Sequence, residues 1–177
     1  DEVRDAAARY PRAAVLSGSG ATAGAVRAGL VRAGVVHYAG HAVFDDARPE
    51  RSYLVLAPDG AGAGRLTAAE LAKLDLRGSR LVVLSACQTV RSGEGRGGGF
   101  AGLAGSLLAA GAGGVVGSLW RVEDQRTRAL MAELHREYRA TGSGPGALRA
   151  AQLSLLRSKD PVLRSPAAWA GFRYVGS

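Results

Sequence analysis

The chain is poor in the residues that usually mark a cofactor site or a disulfide-bonded fold. Its 177 residues include one cysteine, one methionine and three histidines, and 6% are aromatic. A single cysteine cannot form an internal disulfide, so we expect a reducing compartment, the cytoplasm. No stretch resembles a signal peptide, and no apolar run approaches the roughly 18 residues that span a bilayer, so no membrane partner is expected. The histidines and the cysteine lack spacings such as C-x-x-C or H-x-x-x-H, so we expect no metal and no other cofactor.

The overall composition is that of a folded protein. Apolar residues make up 47% of the chain and charged residues 21%, as in ordinary globular domains. The length predicts a single domain, residues 1–177. The chain starts with Asp1 rather than methionine, so we expect a piece of a longer polypeptide or a processed product.

The net charge of +8 comes from 23 basic residues, nearly all of them arginine. Such a charge is compatible with nucleic acid or with acidic partners. The arginines are scattered, however, without a run of three and without interleaved aromatic residues that would stack on bases. We therefore expect no direct nucleic-acid partner.

The pattern of apolar runs predicts strands that alternate with helices. Strands are predicted at 35–39, 52–56, 80–86 and 114–120, with a possible edge strand at 13–16 and a final helical turn and strand within 166–175. Helices are predicted at 2–9, 22–33, 67–74, 100–110, 127–139 and about 147–157. Strands that are apolar throughout are typical of parallel sheets covered on both faces. The sequence therefore predicts an α/β fold, a three-layer sandwich with a mostly parallel central sheet.

Two of these strands lead to residues that could react together. His41 follows the strand at 35–39, and Cys87 follows the strand at 80–86. We expect both to lie just past strand ends at one edge of the sheet, where neighbouring strands are about 4.8 Å apart. An imidazole close to a thiol raises the thiolate fraction and can protonate a leaving amine.

Backbone amides near these residues could stabilise an oxyanion. The candidates are the N–H of Cys87 and the N–H next to His41, from Gly40 or Ala42. The alternative is that Cys87 is inert, since a lone cysteine at a strand end is more often simply buried.

The remaining histidines and the glycine-rich loop receive other interpretations. We expect His37 to be a structural histidine with satisfied hydrogen bonds, and His135 to be solvated on the charged side of its helix. The loop at 93–98 matches G-x-G-x-x-G. In a dinucleotide site, the first glycine follows the strand directly, which is not the case here. We expect instead a flexible loop that becomes ordered around a substrate.

Several ordered motifs together resemble the CHAT domain, a family similar to caspases and separase that usually follows tetratricopeptide repeats. The motifs are H-Y-A-G-H at 37–41, L-V-V-L-S-A-C-Q-T at 81–89, G-E-G at 93–95, V-V-G-S-L-W-R-V-E-D-Q-R-T at 115–127, A-L-R-A-A-Q at 147–152 and P-A-A-W-A-G-F at 166–172. The resemblance implies a caspase-like sandwich at the C-terminal part of a longer chain. It also implies a protein substrate, and regulation by a repeat region of the parent chain or by a partner protein.

The same resemblance implies roles for individual residues. His41 would be the general base and acid, Cys87 the nucleophile, and the amides of Ala42 and Cys87 the oxyanion hole. The family commonly has glycine at position 42 and tends to have glycine at the position of Val90. We expect the extra methyl group of Ala42 to crowd the substrate.

Similarity to separase further implies cleavage after a basic residue. Asp124 is the candidate floor of the pocket, with Glu123 and Asp46 as further acidic residues and Asp45 as a weaker candidate. Alternatively, Asp124 caps a helix that starts near Gln125. The expected function is that of a cysteine endopeptidase, and the alternative is a catalytically silent caspase-like scaffold or interaction module.

Overall fold

The computed structural model describes residues 2–60, 63–90, 98–119 and 124–176. These residues form one six-stranded sheet with helices on both faces, in the strand order β3-β2-β1-β4-β5-β6. The strands are β1 Val35–Phe44, β2 Tyr53–Val55, β3 Arg65–Thr67, β4 Leu81–Val90, β5 Gly114–Ser118 and β6 Phe172–Gly176. The helices are α1 Glu2–Ala7, α2 Ala23–Arg32, α3 Ala68–Leu71, α4 Gly98–Ala109, α5 Asp124–Thr141, α6 Gly144–Leu156 and α7 Pro161–Arg164.

The centre of the sheet is parallel and its edges are antiparallel. Strand β4 pairs in parallel with β1 on one side and with β5 on the other. Short chain reversals then add β2 and β3 beyond β1, and β6 returns antiparallel to β5. The predicted α/β class with parallel central strands is confirmed, and the parallel pairings are those among β1, β4 and β5.

Alternation along β4 separates two apolar cores, one on each face of the sheet. Val82, Leu84 and Ala86 pack into the core formed with α3 and α4. Leu81 and Val83 belong to the opposite core, formed with α5 and α6. Because successive side chains point to opposite faces, an apolar run supplies side chains to both cores, which explains why residues 81–84 are all apolar.

Two helix starts follow the local sequence signals. The Thr22 side chain accepts a hydrogen bond from the amide of Ala25 at the start of α2. At α3, Thr67 and Glu70 form a complete capping box, which satisfies amides that the first turn leaves unpaired. Both caps lie at the starts of helices that the sequence predicts, at 22–33 and 67–74.

Other predicted elements differ from the structure. The edge strand expected at 13–16 is wrong, because these residues are exposed and pair with no strand of the described sheet. Strand β3 and helix α7 were not predicted. Strand β3 has only three residues, too few for an alternating pattern, and it exists because β2 supplies its pairing partner.

His135 is buried, so the prediction that it is solvated is wrong. Only 1% of the residue is exposed, and its ring joins two other side chains in a buried hydrogen-bonded chain. Tyr10 Oη lies 2.8 Å from His135 Nδ1, and His135 Nε2 lies 2.7 Å from His37 Nδ1. His37 Nε2 is in turn 2.9 Å from the Glu2 carboxylate, which confirms that His37 is a satisfied structural histidine.

The helical period explains where the prediction for His135 failed. His135 lies four residues after Met131 and three before Tyr138, and both of these are buried. Residues at these spacings share one helix face. His135 therefore belongs to the buried stripe, although charged residues flank it in the sequence.

Burial lowers the pKa of His135 to about 3, and the proximity of His37 and Arg9 adds to the effect. With His135 neutral, one consistent direction of donation runs through the chain. Tyr10 donates to His135, His135 donates to His37, and His37 donates to the Glu2 carboxylate. The network thereby attaches α1 and the segment after it to the sheet and to α5.

We expect His135 to make the stability of the fold depend on pH. The unfolded chain protonates this imidazole below its ordinary pKa of 6.5, whereas the folded protein leaves it neutral down to about 3. Unfolding therefore takes up a proton in this window, and stability falls as the pH is lowered, by at most about 1.4 kcal/mol per pH unit. The check is the free energy of urea unfolding at pH 7.5 and 5.5 for the wild type and His135→Leu. The loss on acidification should be about 1.4 kcal/mol larger in the wild type, and equal losses would contradict the prediction.

Candidate active site

The two predicted reactive positions are neighbours across the central strand pair. Strands β1 and β4 stay in register from Val35 opposite Leu81 to Phe44 opposite Val90. Within this ladder His41 lies directly opposite Cys87, and adjacent strands are about 4.8 Å apart. The side chain of Cys87 lies outside the described part of the structure. The backbone nevertheless places the two residues side by side.

The prediction that both residues lie just past strand ends is wrong. Strands β1 and β4 continue for three residues beyond His41 and Cys87, to Phe44 and Val90. The small residues before His41 suggested an end, but glycine and alanine do not stop a strand whose neighbour supplies a continuous ladder. His41 and Cys87 are therefore part of a paired region.

Strand alternation places His41 on the face of the sheet that carries α1 and α5. His41 shares this face with His37, which contacts α1 through Glu2 and α5 through His135. The His37 side chain is 6% exposed, whereas His41 is exposed. The helices on this face therefore cover the strand at His37 but not at His41, and the imidazole of His41 is accessible from solvent.

Ala42 has the opposite orientation, which corrects the expectation that its methyl group crowds a substrate. Ala42 is completely buried and packs in the core that contains Phe44 and Leu54. Its methyl group therefore points away from the face of His41. Alanine fills core space here without occupying the reaction side.

The hydroxyl of Tyr38 contacts the backbone of the candidate site. It lies 2.6 Å from the carbonyl oxygen of His41 and 2.7 Å from that of Val55 in β2. Burial raises the pKa of Tyr38 to about 12, and the two backbone hydrogen bonds oppose this effect. The phenol therefore remains a neutral donor at physiological pH.

The hydroxyl of Ser118 makes a comparable contact from the other side. It donates to the carbonyl oxygen of Ala86 at 3.0 Å, and this contact is buried. The described pairing of β4 with β5 reaches only Leu84 opposite Gly117. Ser118 thus provides a partner for a carbonyl group just beyond the last paired residues.

These two contacts define the directions of both candidate oxyanion donors. In a planar trans peptide, the carbonyl and the next amide point in opposite directions. The His41 carbonyl points toward β2, so the Ala42 amide faces β4. The Ala86 carbonyl points toward β5, so the Cys87 amide faces β1. Both amides are directed into the narrow strip between β1 and β4.

The acidic residues predicted for a substrate pocket are described only in part. Asp45 belongs to the turn after β1, where its carboxylate accepts a hydrogen bond from the Arg48 amide at 2.9 Å. Asp46 follows it and is half-buried. Asp124 is the first residue of α5, one residue before the predicted start, and its side chain is not described. Glu123 and the loop at 93–97 lie outside the described residues.

Two properties of the described ranges bear on cofactors and membranes. No group of three or more histidine, cysteine, aspartate or glutamate side chains in these ranges is arranged to hold a metal ion. Among the same residues, no helix combines the length and apolarity needed to cross a bilayer.

Tyr38 and Ser118 are not among the site residues predicted from the sequence. A signal for Tyr38 is present, since Gly40 is two residues later on the same face of the strand and leaves room for an aromatic ring. The contact of Ser118 with Ala86 depends on the residue at which the pairing of β5 with β4 ends. No local sequence pattern specifies that residue.

We expect Ser118→Ala to destabilise the end of β4. The substitution leaves the buried carbonyl of Ala86 without a partner, which costs about 1–3 kcal/mol. Denaturant unfolding measures this cost. The matched control is Ser154→Ala on the exposed face of α6, which should change stability by less than about 0.5 kcal/mol. Equal effects of the two substitutions would show that the hydroxyl of Ser118 contributes nothing.

Comparison with known proteins identifies the family. No protein in a search of curated sequences matches this chain. The family model described as the CHAT domain matches residues 1–177, which is the whole chain and includes the neighbouring positions 41 and 87. The chain therefore belongs to the CHAT domain family, a caspase-like family related to cysteine peptidases.

Proposed function

We propose that this domain is a cysteine endopeptidase that cleaves protein substrates through a His41–Cys87 dyad. The observation that carries the proposal is the direct register of His41 with Cys87 across the parallel β1–β4 pair. The exposure of His41 supports it, since a general base has to reach the substrate. The family assignment supports it as well, because related families include cysteine peptidases.

The reaction proceeds in two steps through an acyl-enzyme. His41 accepts the proton of the Cys87 thiol, and the thiolate attacks the scissile carbonyl carbon. The protonated imidazole then donates its proton to the leaving amine as the carbon–nitrogen bond breaks. In the second step, His41 accepts a proton from water, and the water oxygen attacks the thioester carbonyl carbon. The carbon–sulfur bond then breaks, the acid product leaves, and His41 returns its proton to the sulfur of Cys87. No cofactor enters these steps.

The amides of Ala42 and Cys87 form the oxyanion hole in this proposal. Both point into the strip between β1 and β4, where amides of a paired ladder donate to carbonyl groups of the neighbouring strand. Productive binding therefore requires that the oxyanion replace those carbonyl groups as the acceptor. This exchange is a step at which a repeat region of the parent chain, or a partner protein, can control activity.

A preference for a basic residue before the scissile bond is part of the proposal. Asp124 forms the floor of the pocket, and Glu123 and Asp46 add negative charge around it. Support comes from the position of Asp124 at the start of α5, since α5 packs on the face of the sheet that carries His41.

A catalytically silent scaffold is the second candidate. The continuation of the β1–β4 ladder past both reactive positions favours it, because amides that stay paired cannot stabilise an oxyanion. The two candidates differ in one measurable property, the activation of Cys87 by His41.

We expect a thiol-directed peptide probe to label the full-length wild-type protein and not Cys87→Ala. His41→Ala should reduce the labelling rate at least about 100-fold, the usual contribution of general acid–base catalysis. Mass spectrometry of the labelled protein over time measures the rate. Tyr53→Phe, on the neighbouring strand β2, serves as a control that should label like the wild type. Equal labelling of the wild type and His41→Ala would rule out an activated dyad and leave the scaffold.

The pocket is tested by Asp124→Asn, since asparagine caps a helix as well as aspartate but carries no charge. If Asp124 binds a basic side chain, kcat/KM for peptides with Arg or Lys before the scissile bond should fall about 30-fold or more. Peptides with Leu at that position should be unaffected. Asp160→Asn, at the N-cap of α7, controls for the loss of one negative charge. A profile that favours acidic or apolar residues in the wild type would refute the pocket.

A further inference from the structure

We propose that Tyr38 is a positioning residue that holds the peptide group between His41 and Ala42, so that the Ala42 amide faces Cys87. The inference rests on the proposed function, because it concerns the oxyanion hole of that same site. It adds a residue for which the family resemblance implies no role.

The ring of Tyr38 reaches the site because position 40 has no side chain. Residues 38, 40 and 42 share one face of β1, so the ring runs along the strand across Gly40. A Cβ atom at position 40 would lie 2.7 Å from the Tyr38 hydroxyl oxygen and 2.8 Å from its Cζ atom. Any larger residue would therefore displace the phenol. The position of the Tyr38 ring therefore depends on glycine at position 40.

The hydroxyl occupies the place where the β1–β2 ladder stops. This antiparallel pairing joins Val43 to Tyr53 and Ala42 to Leu54, and its next pair would join His41 to Val55. The described β1–β2 pairing does not include that pair, and the phenol lies between the carbonyl oxygens of His41 and Val55. The hydroxyl thus replaces a missing ladder contact at the residue that carries the candidate base.

This contact holds one peptide plane from the side of β2, opposite to its pairing with β4. The His41 carbonyl is held toward β2, and the planarity of the peptide turns the Ala42 amide toward β4. If the hydroxyl is removed, the carbonyl has no donor on the β2 side, and only the pairing with β4 still holds the plane. Packing alone does not require the hydroxyl, because the ring of phenylalanine would fill the same space. The polar atom therefore serves the backbone of the site.

The test compares two reactions of Cys87 that differ in whether an oxyanion forms. With p-nitrophenyl acetate, the thiolate attacks the ester carbonyl, a tetrahedral oxyanion forms, and p-nitrophenolate leaves as the thioester is made. With iodoacetamide, a carbon–sulfur bond forms as iodide leaves, and no oxyanion appears. Neither reagent needs the substrate pocket, so the comparison isolates the oxyanion hole.

Tyr38→Phe should slow acetylation by p-nitrophenyl acetate at least about tenfold, while alkylation by iodoacetamide stays within about twofold of the wild type. A general structural defect would slow both reactions alike. Tyr53→Phe is the matched control, since it removes a tyrosine hydroxyl from the adjacent strand and leaves the hydroxyl of Tyr38 in place. Gly40→Ala is a second variant that displaces the phenol, and it should show the same selective loss.

The outcomes separate this inference from the proposed function. If wild-type protein is acetylated no faster than His41→Ala, the dyad is not active and both proposals fail. If the wild type is faster than His41→Ala but Tyr38→Phe reacts like the wild type, only the role of Tyr38 is overturned. The amide resonance of Ala42 in a ¹H–¹⁵N spectrum gives an independent readout. It should shift in Tyr38→Phe and stay in place in Tyr53→Phe, and the reverse result would also overturn the inference.

Discussion

The parallel pairing of β1 with β4 is the constraint on which the rest of the structure depends. It brings together two segments that are far apart in the sequence and holds them in register from Val35 to Phe44. Because the register is continuous, the position of His41 relative to Cys87 follows from every other pair in the ladder. A slip by one residue would exchange the side chains that β4 presents to the two cores, and their shapes would no longer fit the side chains around them. The cores therefore enforce the alignment of the candidate site.

The two faces of the sheet perform different tasks around this ladder. On one face, Ala42 and Phe44 pack into an apolar core, and Tyr38 reaches the backbone at His41 from that side. On the other face, His37 is enclosed by α1 and α5 and hydrogen-bonded to Glu2 and His135, whereas His41 is exposed. Two histidines on one strand thus have different chemistry because only one of them lies beneath helices.

Much of the fold follows from local patterns. The capping residues Thr22 and Thr67, the apolar run at 81–84 and the amphipathic helix after Asp124 each led to an element that the structure contains. The failures have a common cause, which is that the deciding partner lies elsewhere in the chain. Strand β3 exists because β2 is beside it, and the strands through His41 and Cys87 continue because each supplies the partner of the other. His135 is an exception, since the spacing from Met131 to Tyr138 already indicates a buried position.

The sequence by itself determined the residue types of the candidate site and the family, because the motifs around His41 and Cys87 are contiguous and ordered. It also determined the two-sided burial of β4 at residues 81–84, since apolar residues at four successive positions have no solvent-facing alternative. Only the tertiary structure decided which atoms support the site. The contacts of Tyr38 with His41 and Val55, and of Ser118 with Ala86, depend on where the neighbouring strands stop pairing. That limit is set by the packing of the whole sheet, and no single segment encodes it.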